Sequence, residues 1–155
     1  MYKHILIPTD GSALSQSAAQ SGIKLAKSIN ANVVAFHALP TYKDFLYRID
    51  VRSNEGITED VFNHLHERMA YQYLSLIKEM ALLSGVQYEE YTINDDNAAK
   101  AIVKAAEDKK CDLIFIGSHG RSGIVQAILG SVTTKVLSLS DIPVLVYQEA
   151  IKNPL

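Results

Sequence analysis

Cysteine is nearly missing from this chain, with one residue, Cys111, in 155. A single thiol can form no internal disulfide and no cysteine-built zinc site, which suits a reducing compartment. Long apolar runs are missing too. No stretch approaches the ~20 residues that span a bilayer, and no secretory leader pattern opens the sequence, because Asp10 interrupts the first apolar segment. The cytoplasm is therefore the expected compartment, with no membrane partner. Neither sign of charge dominates, since 15 Lys and Arg stand against 17 Asp and Glu, so nothing draws the chain nonspecifically onto nucleic acid. Linkers and internal repeats are also lacking. What remains, with 48% apolar and 21% charged residues, reads as one ordinary globular domain over residues 1–155.

Five short segments rich in branched residues read as strands: His4–Ile7, Val33–Phe36, Val86–Ile93, Leu113–Ile116 and Val144–Tyr147. Four of them are almost continuously apolar, as parallel strands covered on both faces are. Val86–Ile93 is partly polar, which suits an edge. Helical period fills the gaps. Leu14, Ala18, Gly22, Leu25 and Ile29 share one stripe, and Phe62, Leu65, Met69, Tyr73, Leu76, Met80 and Leu83 share another. Ala98, Ile102 and Ala105 mark a third helix, and Val132, Val136 and Leu139 a fourth, each set spaced to lie against a sheet. Ser12 and Asn97 suit N-caps, Asn30 and Gly85 suit left-handed C-terminal positions, and Pro143 ends the last helix before the final strand. The alternation predicts a doubly wound α/β domain, a parallel sheet with right-handed crossovers and helices on both faces. Pro40–Thr58 stands apart as a long polar and aromatic connection, either mobile or a lid.

In such a fold ligands bind beyond the carboxyl ends of the strands, where strand order reverses. The loop after the fourth strand carries the strongest signal: Gly117-Ser118-His119-Gly120-Arg121-Ser122-Gly123, then Gly130-Ser131 at the start of the fourth helix. Glycine lets backbone amides come close to a phosphate. Ser131, expected as the N-cap of that helix, adds a hydroxyl and amides at the positive end of the helix dipole. The pattern is an anion cradle if those amides face a cleft, and only a turn if they do not. His119 and Arg121 either meet phosphate oxygens or point to solvent. Asp10 either bonds ribose hydroxyls, helps to hold a divalent cation, or caps the turn through Gly11 and Ser12. Neither G-x-x-x-x-G-K-[ST] nor a G-x-G-x-x-G after the first strand is present, which disfavours a P-loop ATPase and a Rossmann dehydrogenase.

The full spacing is G-x-x-G, nine residues, then G-S, at Gly117, Gly120, Gly130 and Ser131. It occurs with Ile7-Pro8-Thr9-Asp10-Gly11-Ser12 near one end and Ser140-Asp141-Ile142-Pro143-Val144-Leu145-Val146 near the other. Taken together, and over essentially the whole chain, these motifs resemble the ATP-binding branch of the universal stress protein family. The resemblance implies a five-stranded sheet of order 3-2-1-4-5, of the adenine nucleotide alpha hydrolase-like type, with the loops after strands one and four side by side. It implies ATP as ligand, with or without Mg²⁺ or Mn²⁺. Gly117, Gly120, Gly130, Ser131, Val132 and Thr133 would hold the phosphates, with Ile116, His119 and Arg121 in the same site. Pro8, Thr9 and Asp10 would line the adenine and ribose, and Ala38 would offer backbone hydrogen bonds to the base. The family often has a larger aliphatic residue at the position of Ala38, so looser packing on the purine is expected here. The resemblance also implies a homodimer built by antiparallel contact of the last strands, Pro143–Gln148, which would cover an apolar edge carrying Val144, Val146 and Tyr147.

No nucleophile with a paired base and no pair of carboxylates is signalled around the glycine loop. The expected role is a nucleotide-responsive stress or signalling module, with at most slow ATP hydrolysis, since phosphoryl transfer rests mainly on positioning and charge neutralisation. His4, His37, His64 and His66 suggest no metal set, the last two lying two residues apart on a helix and facing different sides. Tyr42, Phe45 and Tyr47 cover a bound base, meet a partner or anchor their own loop. Two other classes are weighed: a nucleotide-independent stress-response scaffold dimer, and a receiver domain. The second lacks the acidic pair expected after strand one, where Thr9 and Gly11 flank Asp10.

Overall fold

Strands with two apolar faces need cover on both, and the chain supplies it by alternating strands with helices. The computed structural model describes residues 1–49, 56–119 and 129–149. Five strands, β1 (His4–Pro8), β2 (Asn32–Leu39), β3 (Tyr88–Asn94), β4 (Leu113–Gly117) and β5 (Val144–Tyr147), form one sheet in the order β3-β2-β1-β4-β5. Every pairing is parallel. The order is the one the family resemblance implies, and partly polar β3 lies at an edge as expected.

Side-chain alternation then sorts the core into two layers. Ile5, Ile7, Val33, Ala35, Leu113 and Phe115 pack with α1 (Ala13–Ile29) and α3 (Glu59–Ser84) on one face. Leu6, Val34, Phe36, Ile114 and Ile116 pack with α4 (Ala98–Asp108) and α5 (Ser131–Leu139) on the other. Ile5, Leu6, Ile7 and Ile114 are fully buried, each worth about 1.5–3 kcal/mol in transfer from water. Cys111 is buried in the second layer, where desolvation, with Asp112 and Glu89 adding to it, pushes its thiol up to about 12.

The helix ends follow the sequence signals. Ser12 accepts from the Ser15 amide and Asn97 from the Lys100 amide, while Asn30 and Gly85 take left-handed conformations at φ 55° and 70°. Three expectations need correction. The fourth helix starts one residue early, so that Gly130 is its N-cap and Ser131 its first residue; no side chain caps it. The stripe expected on α3 is rotated. Phe62, Ala70, Leu74, Ile77 and Ala81 are its buried residues, whereas Leu65 and Leu76 are exposed and Leu83 is 90% exposed. The face that meets the sheet uses alanine for close approach, and a count of large apolar residues overlooks alanine. On α5 likewise, Thr133 and Val136 are buried while Val132 and Leu139 are exposed.

Residues 50–55 of the Pro40–Thr58 connection lie outside the described residues, but its described part is more ordered than a bare loop. It contains a seven-residue helix, α2 (Tyr42–Arg48). Thr41 caps it and is itself bound to Asp96, through its amide at 2.8 Å and its hydroxyl at 2.5 Å. The Tyr42 hydroxyl donates to the Ile57 carbonyl at 2.9 Å, and the Tyr42, Phe45 and Phe62 rings pack on one another. Of the roles considered for these aromatics, Tyr42 and Phe45 act as anchors of their own segment, while Tyr47 is 80% exposed.

A Cβ at Gly85 would meet nothing within 4 Å, so substitution there isolates the backbone conformation from packing. Gly85→Ala is expected to lower stability in urea unfolding by about 1 kcal/mol, and Gly85→Asn by less, because asparagine tolerates the left-handed region better. An unchanged midpoint for Gly85→Ala would contradict the left-handed cap.

Candidate functional site

β1 connects to one side of the sheet and β4 to the other, so the ends of these two neighbours diverge and leave a gap above them. The gap is a cleft of ≈ 240 Å³. Pro8, Thr9, Asp10, Ala38, Ile116, Gly117, His119, Gly130, Ser131, Val132 and Thr133 all line it. Gly120 and Arg121 lie outside the described residues. The cleft has two chemically different ends. Phe36 and Ala38 of β2, with Ala98 opening α4 directly after β3, make one apolar, across β1 from β4, and the start of α5, from Gly130 to Thr133, makes the other. Its first amides have no intrahelical acceptors, and the Gly130 cap offers them no side-chain oxygen, so this end carries the positive pole of the helix.

Hydroxyl groups hold the frame. Thr9, Ser15, Ser118 and Thr133 are the buried polar side chains among the described residues, and all four lie at the cleft or in its walls. Thr9 Oγ1 lies 3.1 Å from Ser15 Oγ and accepts from the Gly11 amide at 3.1 Å, while Ser15 Oγ donates to the Ser12 carbonyl at 2.8 Å. Asp10 Oδ1 accepts from the Ser12 amide at 3.0 Å, so this side chain does cap its turn while its residue lines the cleft. Thr133 Oγ1 donates to the Gly117 carbonyl at 2.8 Å and so fastens α5 to the exit of β4.

Gly130 is required by close approach. A Cβ there would stand 3.0 Å from His119 Cα and 3.1 Å from His119 Cβ, and the Gly130 amide donates to the Ser118 carbonyl at 2.7 Å. This glycine presses the helix start against the turn after β4. His119 faces the same turn, with its Nδ1 3.0 Å from Ser118 Oγ.

Five lining residues were not expected from the sequence: Ser15, Phe36, His37, Ala98 and Ile102. His37 Nδ1 donates to the Thr9 carbonyl at 2.7 Å and its ring meets Tyr73 edge-on at 5.3 Å. Phe36 and His37 lie in the second half of β2, just before Ala38, which the family resemblance supplied; the rule that ligands meet the carboxyl ends of parallel strands points to them as well. Ala98 and Ile102 read as core markers of α4, and nothing in their spacing says that the first turn of this helix also walls a cleft. Among the described residues, no three His, Cys, Asp or Glu side chains group as a ligand set for a metal ion, and no helix is long and apolar enough to cross a membrane.

A ligand-sized cleft at the switch point of a doubly wound parallel sheet, with a helix N-terminus facing it, is an arrangement of the doubly wound α/β class. The model of the universal stress protein family matches residues 1–148, and the chain belongs to that family. It is similar to universal stress protein MJ0531 of Methanocaldococcus jannaschii, with 33% identity over 99% of this chain and 86% of the relative. Among solved structures it is similar to protein MJ0577, at TM-score 0.71 and 26% identity over 97% of this chain and 98% of that one. A universal stress protein in complex with cAMP superposes equally well, at TM-score 0.71 and 24% identity over 96% and 99% of the two chains.

The Thr133 bond gives a direct test of the frame. Thr133→Val, which keeps the shape and removes the hydroxyl, is expected to cost about 1–2 kcal/mol in denaturant unfolding, with Thr133→Ser recovering most of the loss. Equal stability of the Val variant and the wild type would mean that the bond to Gly117 does not brace α5.

Proposed function

We propose that this chain binds ATP or another adenine nucleotide in the cleft and serves in the cytoplasm as a nucleotide-responsive stress or signalling module. The observation that carries the reading is the division of one cleft between an uncapped helix start, suited to phosphate, and an apolar end suited to a purine. The cAMP complex of a structural neighbour is in keeping with an adenine ligand. In this reading the amides of Ser131 and Val132 take the phosphates, Thr9 and Asp10 flank the ribose, and the backbone at Ala38 meets the base. Gly120 and Arg121 would complete the phosphate end. Asp10 is the one acidic side chain among the described residues lining the cleft, and it would be the protein's contribution to holding Mg²⁺ or Mn²⁺ beside the phosphates. Hydrolysis, if it occurs, is slow, because it would draw on positioning and charge neutralisation alone.

Ser131→Glu separates binding from structure. A carboxylate in the first turn of α5 favours the helix dipole and so leaves stability equal or slightly raised. The same charge is expected to weaken ATP, measured calorimetrically with Mg²⁺, by at least about tenfold through repulsion in a partly desolvated cleft. Unchanged ATP affinity in the variant would move the phosphates elsewhere. A folded wild type that binds no ATP would overturn the reading in favour of a nucleotide-independent dimer.

The dimer is part of the proposal. β5 is an edge strand whose Leu145 is 38% exposed, next to a helix exposing Leu137 and Leu139 at 43% and 48%. A second copy pairing along β5 would cover this apolar margin. Sedimentation equilibrium is expected to give twice the monomer mass for the wild type and the monomer mass for Leu145→Lys. A monomeric wild type at micromolar concentration would refute it.

A further inference from the structure

A second cavity, of ≈ 450 Å³, adjoins the first and shares two residues with it, Ala38 and Ala98. Two methyl groups are thus the side chains common to both. The second cavity is aromatic and aliphatic within. The rings of Phe45 and Phe62 line it, with centroids 4.9 Å apart and planes inclined at 35°, together with Val61 and Leu65 of α3. Its shape does not depend on a loose helix, because α2 is tied at Thr41 to Asp96 and at Tyr42 to Ile57. Nor are its carboxylates unpaired. Asp44 pairs with Arg48 at 2.6 Å, Asp96 accepts from Thr41, and Asp95 accepts from the Asn97 amide at 2.8 Å. What the cavity still offers a ligand is apolar surface.

The first cavity sets the direction from which a ligand would enter. On the nucleotide reading its α5 end takes phosphate; Ala38, on β2 across β1 from β4, and Ala98, which opens α4 directly after β3, lie on the other flank of the switch point. In an adenine nucleotide the exocyclic amine N6 lies across the purine from N9, which carries the ribose and the phosphates. A base anchored by its phosphates at α5 therefore directs N6 away from α5, toward the two alanines and the cavity behind them. Resting on the nucleotide reading above, we infer that the second cavity is a subsite for an apolar substituent on N6, and that this protein prefers adenine nucleotides carrying an aromatic or branched aliphatic group there. The substituent seats against Phe45 and Phe62, with Leu65 as its outer wall.

The test compares ATP with N6-benzyl-ATP on the full chain, by calorimetry with Mg²⁺. The benzyl compound is expected to bind about tenfold tighter, the gain of burying one ring less the cost of ordering it. Leu65→Trp fills the second cavity from a position that is 54% exposed and does not line the first. It should abolish the preference while changing ATP affinity less than about twofold, since the substituted side chain lies outside the first cleft. Phe45→Ala, which removes the ring without adding bulk, should abolish it as well. A benzyl compound that binds no tighter than ATP, or a preference that survives both variants, overturns the subsite and leaves the nucleotide reading standing. Failure of ATP itself to bind removes both.

Discussion

β1 lies beside β4, with Ile5 opposite Leu113 and Leu6 opposite Ile114, and the rest of the molecule is arranged around that pairing. Both strands run parallel and are buried on both faces, so no short hairpin joins them to their neighbours: β1 is left through α1, and β4 is entered through α4 and left through α5. The helix after β1 leads to β2 on one flank; the chain after β4 leads through α5 to β5 on the other. Two neighbours whose exits turn in opposite directions leave no connection above their shared end. The cleft is therefore a product of topology before it is a product of any side chain.

Topology alone would leave that gap soft. The buried hydroxyls harden it, because each has a partner whose loss would leave a polar group without water, at a cost of about 1–3 kcal/mol. Thr9 and Ser15 tie the exit of β1 to the first turn of α1, and Thr133 ties α5 to the exit of β4. Polar side chains, sparse in a core of Ile, Val, Leu and Ala, are thus concentrated where the fold would otherwise be weakest.

Most of this could be seen in the sequence because it rests on local chemistry. Strand runs, the caps at Ser12, Asn97, Asn30 and Gly85, and the edge character of β3 are each decided by a few adjacent residues. The glycine loop after β4 and Asp10 after β1 stood out because a parallel sheet directs attention there, while Pro8, Thr9 and the strand order came from motif resemblance. Legibility failed where long-range packing decides. The face of α3 is chosen by how closely Ala70 and Ala81 approach the sheet, which large-residue periodicity does not express. α2 is held by Asp96, a partner far along the chain, so its own seven residues carry little sign of it. Gly130 showed the same limit from the other side. It read as a glycine for phosphate approach or for a turn, and the structure gives it a third reason in the backbone of His119.

The amide of Ser118 donates to the Tyr147 carbonyl at 2.8 Å, the Ser118 carbonyl accepts from Gly130 at 2.7 Å, and the Gly130 carbonyl accepts from Thr134 at 2.9 Å. These three bonds run in series from the last strand, across the turn after β4, to the first turn of α5. Such a series couples the two ends through backbone groups alone, with no side-chain rotamer in its path. The end of the edge strand and the start of α5 are therefore one mechanical part. Whatever holds the strand in position also sets the spacing of the cleft.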